Sequence, residues 1–378
     1  MLIQLTLPSS LEETGNEHVQ DFLGMIAVRN AVANERIPDG SDTYSAAEMF
    51  ASWSQPGDTS VGFVVKIDGE YVARAAYWTA RVESPSNAWT SIEVLPAVRR
   101  QGIGSALLQA VLDYAAQQGV ETVGTHTTSP PLEHSSTTGS QHRGDVPPEL
   151  FVASNGQGRI AATAPAQFFH HRGFALEQVV VRSSLALPNT IDATTVEQHS
   201  SHATDYDIET WEAPSPESVR AELAVLKQRM SSDAPNGGIA IDEDPWDEAR
   251  IADAEQGILR GGRRLLISAA RHRASNHLVA FSELVIPEEL DRTVAQEDTL
   301  VLQEHRGHRL GFLVKAANLA ALEQRAPGHP AVTTYNAAEN APMLAVNAKL
   351  GFKPVDDEGV WQYRFPSPTT RQHEGDTE

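Results

Sequence analysis

The sequence contains no cysteine. Disulfides, thiolate-ligated metals and a cysteine nucleophile are therefore excluded. No apolar run approaches the roughly 18 residues that a membrane-spanning helix needs. The opening MLIQLTLPSSLEETGNEH has no basic segment followed by a long apolar core, so no secretory signal is read there and a cytoplasmic location is expected. Positive charge is scarce: 29 Lys and Arg stand against 50 Asp and Glu, a formal net charge of -21. A surface this acidic repels nucleic-acid backbones and anionic membranes, and neither is expected as a partner. Histidines cluster at His170, His171, His305 and His308, but H-E-x-x-H is absent and they lack the acidic partners of a ligand set, so no metal is expected.

What is present is a chain of 378 residues, 40% hydrophobic, long enough for two cores. Segments such as VGFVVKID, GEYVARAAYWTARV and AWTSIEVLP read as strands, the first two joined by a tight turn at Asp68-Gly69. Residues 105–118 have the spacing of an amphipathic helix that Gly119 ends. The plan then repeats. SIEVLPAVRRQGIGSALLQA returns in altered form as DTLVLQEHRGHRLGFLVKAA, and the helix ending at Gly173-Phe174 returns as the one ending at Gly351-Phe352. The first copy is longer by about the length of the Ser, Thr, Pro and Gly-rich stretch at 128–158, which reads as a long loop. The expected organisation is a first domain over 1–187 carrying that insertion, a polar connector over 188–204, a second domain over 205–366 and a disordered tail over 367–378.

The two turns hold the chemistry. A helix N-terminus presents unpaired amides and the positive end of the helix dipole, which together make an anion cradle. At the first turn Gly102 and Gly104 let the backbone approach a ligand closely, and Arg99 and Arg100 add charge. A diphosphate suits such a site. It is no dinucleotide fingerprint, because Leu107 stands where G-x-G-x-x-G requires its third glycine. Nor is it a Walker loop, because no lysine follows Gly104.

The pattern V-x-P-x-x-R-R-x-G-I-G-x-x-L-L, here Val94, Pro96, Arg99, Arg100, Gly102, Ile103, Gly104, Leu107 and Leu108, resembles the GCN5-related N-acetyltransferase (GNAT) family. F-x-x-x-G-F at 169–174 and N-x-x-L-G-F at 347–352 resemble the helix and strand that close the cofactor cleft in that family. The resemblance covers both halves. It implies an α/β (α+β) chain of two tandem GNAT folds, each a mixed, mostly antiparallel twisted sheet flanked by helices. It also implies acetyl-CoA as co-substrate and a small-molecule amine as acceptor. The pyrophosphate would lie on Val94, Arg99, Arg100, Gln101, Gly102, Ile103, Gly104 and Ser105. In the second half Arg306, Gly311 and Asn340 occupy cofactor-contacting positions, but Arg309 replaces the first turn's Gly102.

On the phosphate turn, the first half is the expected acyl-CoA site. A backbone N–H near Val94 would stabilise the oxyanion, and Glu93, on the same strand, is the candidate base, with a strand salt bridge as the alternative. Leu300 stands at the matching place in the second half. The family's proton donor, a Tyr four residues before Gly-Phe, is replaced by Phe169 and Asn347, so that role has no holder. The expected activity is acyl-CoA-dependent N-acetyl transfer to a primary amine by direct attack; the other reading is a catalytically silent acyl-CoA-binding protein.

Overall fold

In the computed structural model the described residues are 1–378 apart from 14, 38–39, 58, 81, 83, 133–148, 190, 192, 234, 243–244 and 367–378. Most of the glycine-rich insertion and the polar tail therefore lie outside them. The first half runs β1 (Leu2–Gln4), α1 (Glu17–Arg36), α2 (Ala46–Trp53), β2 (Thr59–Ile67), β3 (Glu70–Thr79), β4 (Asn87–Val94), α3 (Ile103–Gln118), β5 (Thr122–Ser129), β6 (Leu150–Val152), β7 (Arg159–Ala161), α4 (Ala164–His170) and β8 (Ala175–Ala186). The second runs α5 (Ala193–Ser200), β9 (Tyr206–Glu212), α6 (Glu217–Asp233), α7 (Glu248–Arg260), β10 (Arg264–His272), β11 (His277–Ile286), β12 (Val294–Val301), α8 (Leu310–Arg325), β13 (Ala331–Ala337), α9 (Ala341–Leu350) and β14 (Lys353–Arg364).

Local chemistry explains many boundaries. Asn16, Thr163 and Asp247 accept amide hydrogen bonds at the starts of α1, α4 and α7. Ser45 and Glu48 form a reciprocal capping box on α2. The predicted turn between β2 and β3 has Asp68 and Gly69 both at positive φ, as a two-residue hairpin requires. Two expectations need correction. The stretch read as a loop over 128–158 contributes β6, which pairs with β7 just beyond it in an antiparallel hairpin. The connector contains α5, whose His199 stacks on Phe312 of α8.

The strands form one sheet in the order β1-β2-β3-β4-β5-β14-β8-β13-β12-β11-β10-β9. Each half builds five strands of one wing and sends its last strand across. β14, from the second half, pairs with β5, and β8, from the first, pairs with β13. The two exchanged strands then pair with each other antiparallel. The two wings share a further feature. β4 and β5 pair in parallel only from Asn87–Trp89 to Thr122–Gly124, and β12 and β13 only from Val294–Gln296 to Val332–Thr334. Beyond those residues each pair splays into a V.

The first V is packed on the face towards α4, while Thr90, Ser91 and Glu93 of β4 and His126 and Thr128 of β5 line a large cavity on the other. Ile92 of β4, Phe151 and Ile160 of the hairpin, Phe168 and Phe169 of α4, and Trp361 of β14 join one apolar cluster. Trp361 is 0% exposed and donates from Nε1 to Thr127 Oγ1 at 2.9 Å. Trp361→Ala is expected to destabilise the fold by about 3–5 kcal/mol, measured by denaturant unfolding, while leaving ligand affinity at the other V unchanged.

Candidate active site

The two turns have the same backbone. In the first, Arg100 and Gly102 sit at positive φ (66° and 84°); in the second, Gly307 and Arg309 do (91° and 62°). Arg309 thus adopts the left-handed conformation that Gly102 adopts more readily, at a cost of about 1–2 kcal/mol. Its side chain is exposed, and the turn keeps its shape. In both turns an arginine Nε donates to the carbonyl of the preceding strand's last residue, Arg99 to Val94 at 2.9 Å and Arg306 to Val301 at 3.2 Å. Among the described residues, the amides of Gly307, His308, Arg309, Leu310 and Gly311 have no acceptor. They are free to converge on an anion at the start of α8.

The space behind each turn differs. A Cβ placed on Gly104 would lie 3.5 Å from the Phe168 ring, so an aromatic side chain already fills that gap. Arg172 lies over the same ring, and its Nη2 donates to Ser105 Oγ at 2.5 Å, tying α4 to α3. At Gly311, among the described residues outside its own helix backbone, the neighbour within 4 Å of such a Cβ is Val301 Cγ2, at 3.7 Å. The counterpart of Phe168 is Val346, and no hairpin intervenes in the second half.

The second V therefore opens into a cavity of about 1600 Å³. Its walls include Arg306, Gly307, Arg309 and Gly311 of the turn, β12 and β13 where they part, and Asn340 and Val346 at α9. The first half closes the opposite side with Arg29, Arg36, Tyr44, Trp53 and Trp78. Of the residues expected from the sequence, Arg306, Gly311, Asn340 and Glu93 line this cavity, while Val94, Arg99, Arg100, Gln101, Gly102, Ile103, Gly104 and Ser105 do not. Arg99 is instead paired with Glu35, its Nη1 2.9 Å from Oε1. Asn340 caps α9, accepting from the Met343 amide at 3.3 Å. Asn347 is buried and donates to Asn336 Oδ1 at 2.6 Å.

Glu93 is held by Arg74, which donates from Nε to Oε2 at 2.6 Å and from Nη2 to Oε1 at 3.2 Å. Both groups are buried. Such a carboxylate is an ion-pair partner with both oxygens engaged. Glu93→Gln is expected to cost about 3–5 kcal/mol by leaving Arg74 uncompensated. Thermal unfolding would register this, while acetyl-CoA affinity should stay at the wild-type value.

A carboxylate of another kind lies on β12. The β11–β12 register shifts so that Glu283 faces two residues, Glu297 and Asp298. Lys227 of α6 donates to Glu283 at 2.5 Å and to Asp298 at 2.9 Å. Burial opposes the charge on Lys227, but the two carboxylates overcome it and raise its pKa. Burial pushes the Glu283 carboxyl up to about 7 despite Lys227. Glu297 makes no hydrogen bond or ion pair through its carboxylate among the described residues and faces the cavity. The residue is exposed to the water of the cavity, although protein surrounds it on most sides. That desolvation, reinforced by Asp298, raises its pKa, with Lys227 and Arg263 pulling the other way. The first half has Thr90 and Ser91 at these places, and its β3–β4 register runs without a shift.

The oxyanion donor follows from strand parity. The Leu302 amide bonds to Val279 of β11, so the N–H of Val301 points the other way, into the V. An aligned donor, a cradle of amides and an unpaired carboxylate with a raised pKa therefore border one cavity.

Residues 29–137 match the model of the acetyltransferase (GNAT) family. That segment is similar to the GNAT family. The solved structures extend the likeness to the whole fold. A tandem GNAT protein from the clavulanic acid biosynthesis pathway, in a structure without acetyl-CoA, is 22% identical, with 97% of this chain and 100% of that one covered and a TM-score of 0.68. A GCN5-related N-acetyltransferase from Sphaerobacter thermophilus is 13% identical over 96% and 95% of the two chains, with a TM-score of 0.59. A GCN5-related glucosamine N-acetyltransferase region of a fungal multi-domain GH3 beta-N-acetylglucosaminidase is 16% identical, covering 96% of this chain and 38% of that one, with a TM-score of 0.58. No curated protein matches the chain. The fold is thus a tandem GNAT fold, mixed α/β throughout, and no helix among the described residues is long and apolar enough to cross a membrane.

Proposed function

We propose that this chain is an acyl-CoA-dependent N-acyltransferase whose second half binds the acyl donor, most simply acetyl-CoA, and acylates a primary amine of a small molecule. The observation that carries this reading is the open second V: the cavity reaches the free amides of Gly307 to Gly311, while the first V is filled on its α4 face by Phe168 and Trp361. The amides and Arg309 would take the pyrophosphate, and the splay between β12 and β13 would take the pantetheine arm. Val301 N–H would stabilise the developing oxyanion. Glu297 would accept the proton of the attacking amine, a task suited to a carboxylate whose pKa is raised. The first half would not repeat the chemistry. It supplies the wall facing the acceptor, with Tyr44, Trp53 and Arg36, and that enclosure favours a small molecule.

The test is calorimetry with acetyl-CoA on the full chain, followed by thiol release with a panel of small primary amines. One equivalent of acetyl-CoA and an acceptor-dependent rate are expected. Binding without any acceptor-dependent rate would instead favour the catalytically silent reading, which has in its favour that Phe169 and Asn347 both lack the phenol of the family's proton donor.

A further inference from the structure

The departing thiolate needs a proton, and neither half carries a tyrosine at the expected place. α8 contains a residue that the fold of an N-acyltransferase does not by itself explain. Lys315 lies in the middle of a helix buried almost all round, from Leu310 to Leu322. It is 1% exposed. Among the described residues it makes no hydrogen bond and no ion pair. Its Nζ lies 5.3 Å from the centre of the Phe352 ring, and the residue forms part of the cavity wall. The first half has Leu108 at this position, packed in the apolar cluster of its own V.

Helix geometry directs this side chain. Residues four apart share a face, and a helical side chain leans over the turn before its own Cα. Lys315 therefore lies on the face of α8 that carries Gly311 one turn earlier, with its side chain more than 4 Å from a Cβ placed there. Lys315 lines the same cavity as Arg309, Gly311 and Val301, about one helical turn along α8 from the cradle. From the geometry we propose that Lys315 is the catalytic acid that protonates the leaving thiolate of the acyl donor. The inference rests on the reading of the second half as the acyl-transfer site.

The step balances as follows. The amine nitrogen bonds to the acyl carbon, and its proton passes to Glu297. The carbon–sulfur bond breaks, and sulfur takes the electron pair. Lys315 Nζ gives that sulfur its proton and is left as a neutral amine, to be reprotonated from water in the cavity. Burial makes this direction favourable. It pushes the ammonium down to about 7, whereas a thiol sits at about 8.5, so the proton moves to the stronger base. A lysine in water could not do this, because its ammonium is the weaker acid of the two. The charged or titratable groups that line the same cavity from neighbouring elements include His305, Arg306 and Arg309 at the turn, His199 on α5, Glu297 and Asp298 on β12, Tyr335 on β13, Glu339 before α9, Lys349 on α9 and Glu358 on β14. The shift at Lys315 arises from burial alone.

The test is Lys315→Met, with Lys315→Leu, which copies Leu108, as a second variant of the same buried site. Each is assayed for acetyl-CoA affinity by calorimetry and for kcat against pH, with acetyl-CoA and with its selenoester analogue, whose selenolate leaves without needing a proton. The wild type is expected to lose kcat as pH rises through about 7, where Lys315 deprotonates. Both variants are expected to bind acetyl-CoA as the wild type does, to lose about 100-fold or more in kcat, and to lack that alkaline limb. The selenoester should restore most of the lost rate. Variants that turn over acetyl-CoA at the wild-type rate with the limb intact overturn the proposal while leaving the acyltransferase reading standing. A wild type that neither binds acetyl-CoA nor turns over removes that reading, and this one with it.

Discussion

Gly311→Leu is expected to reduce acetyl-CoA affinity at least about 100-fold, or about 2.8 kcal/mol, in calorimetry on the full chain. The residue lies in the first turn of α8 and is not at positive φ, so leucine fits the backbone. Its Cβ would start 3.7 Å from Val301 Cγ2, and the branch beyond would fill the gap between turn and strand. The first half already displays that state: beside Gly104 the Phe168 ring occupies the equivalent space. The paired experiment is Gly102→Glu. Gly102 is at positive φ with nothing within 4 Å of a Cβ, and it lies outside the cavity. Some loss of stability and an unchanged acetyl-CoA affinity are expected there. The opposite ranking of the two variants would return the donor site to the first half.

Glu297→Gln is expected to lower kcat by about 10²–10⁴-fold, the usual worth of a general base, with acetyl-CoA affinity intact. The pH profile gives the sharper readout. As the proposed base, Glu297 would act only when ionised, and its pKa is raised. In the wild type, kcat should therefore climb with pH through a value above that of an ordinary glutamate. In the glutamine variant this acidic limb should vanish, because no carboxylate remains to titrate. The neighbours separate base from scaffold. Asp298 and Glu283 share the ammonium of Lys227, so Asp298→Asn should disturb stability more than the shape of the profile. An unaltered acidic limb in Glu297→Gln would assign the proton to another group.

Much of the fold was legible because its signals are local. The Asp68-Gly69 hairpin and the stop at Gly119 depend on neighbours within one turn of chain. The duplication was legible because the two turns share a spacing, and the backbone bears this out residue for residue, including Arg309 in the place of Gly102. That substitution looked like damage. It costs little because αL is a conformation an arginine can adopt, and because the side chain points outward. The adjacent acids Glu297 and Asp298 were visible as the pair before TLV in the second copy, against Thr90 and Ser91 in the first. The comparison of Glu93 with Leu300 drew attention three residues too late along the strand. Lys315 was visible too, as a lone charge in FLVKAANLA, but a helix surface would have been its ordinary place.

The sequence by itself determined that two copies of one α/β unit are present, each with a strand, a cradle-forming turn and a helix, and that neither carries the usual tyrosine. Those facts follow from residue type and spacing alone. The tertiary structure decided which cradle leads anywhere. β8 and β14 cross between the halves, and the crossing carries Trp361 into the first V, where the hairpin and Phe168 complete the packing of its α4 face. The same crossing leaves the second V open and sets the first half against it as a wall. Contacts between residues so far apart in the chain arise from long-range strand pairing and the packing of apolar side chains, which no local pattern encodes.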